Sequence, residues 1–121
     1  MEDFIIILVT TSSEEEGRKI AQTLIEKKLA ACVNLVKDIE SIYRWKGKIS
    51  DEKEILMMIK TRKKLYKSVE DEVKKLHSYE IPEIIALPII SGSKDYLYWT
   101  SSSGAPASAP PAPADPPIPN D

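Results

Sequence analysis

Hydrophobic residues fall in blocks whose period changes along the chain. Phe4 to Thr11 is apolar, β-branched and unbroken, the composition of a buried strand. Ser13 with Glu16 three residues on is a capping-box signature, and Gly17, Ile20, Ala21, Leu24 and Ile25 then recur at helical spacing, so a first helix is predicted from about Glu14 to Lys28. Ala31 to Trp45 and Ile49 to Thr61 read as two long strands joined through Lys46-Gly47-Lys48, with a kink or bulge at Lys37-Asp38. Leu65, Val69, Val73 and Leu76 mark the buried stripe of a second helix, which frays near His77 or Ser78 ahead of Pro82. Ile84 to Ile90 is a fourth strand, and Pro88 confines it to an edge or a bulge. Asp95 to Trp99 opens a further helix, with Ser93 as its cap, that the following segment cuts short.

The order β-α-β-β-α-β predicts an α+β, ferredoxin-like subunit: one antiparallel sheet, two helices on one face and a long hairpin between the second and third strands. Two helices cover only one face, so the other should alternate apolar with polar residues if it meets water. Phe4 to Val9, Ile55 to Ile59 and Ile84 to Leu87 are instead apolar at both parities. Either loops shield a hydrophobic central strand, or a second copy of the chain covers that face, and the hairpin favours the second. Arms of about 13 residues at roughly 3.3 Å each reach about 43 Å, so the tip should overhang and offer itself to a neighbour.

Composition then marks a boundary. Seven of the nine prolines lie between Pro106 and Pro119, behind Ser101-Ser102-Ser103-Gly104, so the chain divides into a domain over 1–99 and an extended linker and proline-rich tail over 100–121. Whether that tail docks a proline-recognising partner or is an inert appendage stays open. The 121 residues carry 17 Lys and Arg against 19 Asp and Glu, which gives no electrostatic case for a nucleic-acid partner. The domain is balanced and dense in charge, as in ordinary solvated surfaces and in heat-stable proteins alike. No apolar run approaches the roughly 18 residues of a membrane span, and the N-terminus lacks signal-peptide features, so a cytoplasmic protein without membrane association is expected.

Each tenant of such a fold must be tested by its site. The third strand, Glu54 to Thr61, carries no aromatic side chain for stacking bases, and the turn into the first helix carries Glu14, Glu15 and Glu16, which repel phosphate. A single cysteine, Cys32, excludes an internal disulfide and multi-cysteine metal centres within the chain, and its apolar flanks suit a structural, buried role. His77 is the only histidine. It is either a surface residue without a role or a metal ligand, with Glu80 and Glu83 adding oxygens or with copies of itself converging in an oligomer. Tyr43, Trp45, Tyr79, Tyr96 and Trp99 would line a pocket between subunits or pack an interface.

Several blocks carry a family resemblance: Thr10-Thr11, Leu29 to Asn34, Ser41 to Lys48, Ile59-Lys60-Thr61, His77 to Ile84 and Tyr96 to Trp99. Over residues 2–99 the chain resembles the divalent-cation-tolerance protein CutA family. The resemblance implies a tight homotrimer that shares strands, an association with tolerance to copper and other divalent metals in bacteria, a link with acetylcholinesterase anchoring in animals, and no established catalytic reaction. Some members bind copper through a cysteine ending the first strand and two histidines ending the second helix. The matching positions here are Thr10, Leu76 and His77, so one of the three ligands is present. Members also usually continue the last helix past the block that matches Tyr96 to Trp99. The function expected is therefore non-enzymatic cation homeostasis, by weak copper or other divalent-metal binding at His77, Glu80 and Glu83. The alternatives are a PII-like sensor whose intersubunit cleft of Trp45, Lys60, Tyr79 and Glu83 takes a small molecule, or a stable scaffold that displays the tail.

Overall fold

A computed structural model of the chain describes residues 3–102. The tail expected from the prolines lies, from residue 103 on, outside the described residues. The elements run β1 (Phe4–Thr11), α1 (Glu14–Glu26), β2 (Cys32–Trp45), β3 (Lys48–Arg62), a 3-10 turn (Lys63–Leu65), α2 (Tyr66–Leu76), β4 (Ile84–Pro88) and α3 (Lys94–Ser102). All strand pairs are antiparallel in the order β2-β3-β1-β4, the sheet of the expected ferredoxin-like α+β fold. No described helix is long and apolar enough to cross a membrane.

The helix-facing parity of the sheet builds the core. Ile5, Ile7 and Val9 of β1 and Met57 and Ile59 of β3 are buried against Ile20 and Leu24 of α1 and Val69 and Val73 of α2. Completely burying one such side chain stabilises the fold by about 1.5–3 kcal/mol, which is why the 3.6-residue stripes of both helices face this layer.

Local chemistry sets the ends. Ser13 Oγ accepts the Glu16 amide at 3.1 Å and caps α1. The helix closes two residues before Lys28, which adopts φ 61°; the Lys28 and Leu29 amides return to Ile25 and Leu24, a Schellman closure with lysine in the usual glycine position. The expected irregularity at Lys37-Asp38 is a bulge: the register shifts between Val36 and Ile39, and Asp38 has φ 59°. The hairpin turn is Lys46-Gly47 alone, with φ 52° and 80°, the two left-handed residues of a type I′ turn. β4 stops at Pro88 rather than Ile90, and as an edge strand it tolerates the missing amide. α3 is longer than expected and includes Thr100, Ser101 and Ser102, whose hydroxyls donate back to the carbonyls of Tyr96, Tyr98 and Trp99; Ser93 caps its start by accepting the Tyr96 amide.

The opposite parity of the sheet carries Ile6, Leu8, Leu56 and Met58, with exposed Val36, Ile85 and Leu87 beside them. Of the described helices, α3 packs on this side, against β3, where the Lys60 ammonium lies 5.7 Å from the Tyr96 ring centre. The β1 pairing ends at Ile55, so β3 from Lys48 to Glu54 is paired with β2 alone. This overhang is roughly 23 Å of two-stranded ribbon. Ile42 and Ile49 stand exposed on it.

Candidate functional site

The bulge determines what the overhang presents. One extra residue in β2 reverses its alternation, so that Val36 opposite Leu56 and Ile39 opposite Glu54 share a face although they are three positions apart. Beyond the bulge, Ser41 and Tyr43 stand across from Glu52 and Ser50. With the segment that leaves α2 they form a cleft of about 750 Å³, whose walls include Thr10, Tyr43, Trp45, Glu52, Glu54, Tyr79, Glu80 and Glu83. Four carboxylates and no lysine, arginine or histidine line it.

The 77–79 segment is held at several points. The His77 side chain is 0% exposed. Its Nε2–H donates to the Thr10 carbonyl at 2.7 Å and its Nδ1 accepts the Tyr79 amide at 3.0 Å. A carbonyl can only accept and an amide can only donate, so the partners themselves select the Nε2–H tautomer. The Glu16 carboxylate, free of any reciprocal cap on α1, reaches across and accepts the Ser78 amide at 2.6 Å and the Ser78 hydroxyl at 3.1 Å. Thus anchored, Tyr79 lies with its ring centre 4.7 Å from that of His77 and donates its hydroxyl to Glu54 Oε2 at 2.5 Å. Burial first, then this carboxylate, pushes the Tyr79 phenol well above its ordinary range. Tyr43 donates to Glu52 at 3.2 Å, and its phenol is raised for the same two reasons.

The expected site residues therefore separate. Trp45, Tyr79, Glu80 and Glu83 line the cleft, whereas Lys60, six residues from Glu54 along β3, lies under α3. Both nitrogens of His77 are spent within the chain, and Leu76 packs on the core. Thr10 and His77 do meet, through a backbone carbonyl. Among the described residues, no three His, Cys, Asp or Glu side chains converge as a metal site. Cys32 is half-buried at the start of β2, opposite Lys60. Glu52 and Glu54 were not anticipated; the signal was their i, i+2 spacing on a strand facing Tyr43, usable only once the bulge fixes the parity.

A ferredoxin-like subunit with an overhanging hairpin, and an acidic, aromatic cleft at the root of that hairpin, defines the class of protein. The chain belongs to the CutA family: the model for the CutA1 divalent ion tolerance protein matches residues 5–103. It is 46% identical over 94 residues to the divalent-cation tolerance protein CutA of Thermus thermophilus, covering 78% of this chain and 91% of that protein. It is 50% identical over 91 residues to the human protein CutA, covering 75% of this chain and 51% of the human one. It thus spans about half the length of that relative. The solved structure of the Thermus thermophilus protein superposes with a TM-score of 0.80 at 44% identity, covering 85% of this chain and 98% of the other.

Proposed function

We propose that this chain acts as a non-catalytic, homotrimeric divalent-cation tolerance protein that associates weakly with copper or a similar cation through the rim of its cleft. The observation that carries this reading is the charge of the lining, four carboxylates with no lysine, arginine or histidine among the lining residues. Glu80 and Glu83 are exposed at the rim and offer hard oxygen donors, while His77 serves as a buried strut. Two rim carboxylates without a third converging ligand suit transient association of a cation as cargo, not a resident centre. The exposed apolar sheet face and the overhang, paired only within its own hairpin, support assembly through copies of the chain.

Calorimetric titration with Cu²⁺ on the full chain and on the Glu80→Gln/Glu83→Gln variant tests the reading. Weak binding that the double substitution abolishes is expected. Heats that do not change would remove the rim from the account, and sedimentation showing a stable single subunit at micromolar concentration would remove the trimer.

A further inference from the structure

Glu54 is 6% exposed, and its Tyr79 bond leaves the second carboxylate oxygen without a donor among the described residues. A buried carboxylate compensated by one neutral hydroxyl is an electrostatic deficit that a cation entering the cleft would relieve. The ligand chemistry is narrowed by the other walls. Anions are repelled by Glu52, Glu54, Glu80 and Glu83. For a bare metal ion, no three His, Cys, Asp or Glu side chains converge among the described residues. An ammonium group needs only carboxylate oxygens spread along its path, and Glu52 and Glu54, two residues apart on one strand, have Cα atoms roughly 7 Å apart on one face. The faces of Tyr43 and Trp45 supply apolar contact for methylenes and quadrupole attraction for charge. Trp45 already accepts an ammonium, the Lys46 Nζ 5.7 Å from its ring centre.

We propose that the hairpin side of the cleft, between buried Glu54 and exposed Glu52, Tyr43 and Trp45, binds an organic cation of the polyamine class, an extended chain bearing two or more ammonium groups. This is a separate subsite from the Glu80 and Glu83 rim and does not rest on the metal reading.

The test is calorimetric titration of the full chain with spermidine at low ionic strength, beside Glu54→Gln, Lys46→Gln, Trp45→Leu and, outside the cleft, Glu70→Gln. Glu54→Gln should weaken binding about tenfold or more, the loss expected when a charge-assisted hydrogen bond becomes neutral. Lys46→Gln removes a competing ammonium and should tighten binding about two- to fivefold. Trp45→Leu should weaken it, and Glu70→Gln should leave it unchanged. The proposal is overturned if spermidine produces no binding heat, the result expected when a basic side chain of a second copy already meets Glu54. It is equally overturned if Glu54→Gln and Glu70→Gln bind alike, which would mark unspecific surface attraction. Should Glu54→Gln not fold, the opposite effects of Lys46→Gln and Trp45→Leu decide the matter. Cu²⁺ titrations of the rim variant separate failure here from failure of the metal reading.

Discussion

His77→Ala separates a strut from a metal ligand. The side chain is wholly buried, and its removal strands two backbone groups at once, the Thr10 carbonyl and the Tyr79 amide. A buried polar group deprived of its partner costs about 1–3 kcal/mol, so the two together predict a loss of roughly 2–6 kcal/mol, before any cavity left by the ring. The substitution also releases Tyr79 from the position in which its hydroxyl meets Glu54. Urea unfolding followed by circular dichroism, at one protomer concentration throughout because an assembly's stability depends on it, measures the change. Copper heats per folded protomer should match those of the parent, because neither ring nitrogen is free to ligate. A loss below about 0.5 kcal/mol, less than one unmade hydrogen bond, would refute the strut. So would vanished copper heats in a variant of undiminished stability.

The remaining predictions concern pH and the hairpin. Lys37 and Arg18 hold the Glu14 carboxyl below its usual range, as Lys27 does for Glu72, Lys74 for Glu70 and Lys67 for Asp71. Depressed carboxyls add stability above their unfolded values that is lost on acidification, so unfolding midpoints should fall as pH drops through about 4.5 and below, and less steeply in high salt. Tyr43, Tyr66 and Tyr79 are raised, so their contribution is complete below an ordinary tyrosine value and fades as pH climbs past about 10; Tyr79→Phe should flatten that alkaline limb, and an unchanged limb would count against the Tyr79–Glu54 bond. Gly47 has φ 80° with open space around its Cβ position, so Gly47→Ala should cost about 1 kcal/mol through backbone strain alone and Gly47→Asn less. Equal midpoints for all three chains in the same urea assay would contradict the turn assignment.

How far the sequence exposes this molecule follows from what periodicity can carry. Alternation and helical spacing report which residues share a face, and they place the strands, both stripes, the bulge at Lys37-Asp38 and the apolar second face of the sheet. They do not report distance along a face: Lys60 lies on the same side of β3 as Glu54, yet far from the cleft and under α3. Nor do they reach across the fold. Ser13 and Glu16 read as a local capping box, and the Ser13 half forms, but the Glu16 carboxylate is taken by Ser78, 62 residues away. Residues 77–83 have no period, so their landing place is set by three tertiary contacts, to Thr10, Glu16 and Glu54, none of them encoded in local spacing. Glu52 and Glu54 lie in the charged run Ser50 to Glu54, which reads as a solvated hairpin until the bulge and Tyr79 turn one of them inward. The aperiodic segment, the bulge and the overhang meet at one place, and that place is the cleft. Chemistry therefore concentrates where the two regular periods fail: a carboxylate can be held under-compensated there because the packed core beneath it supplies the stability that the site itself gives up.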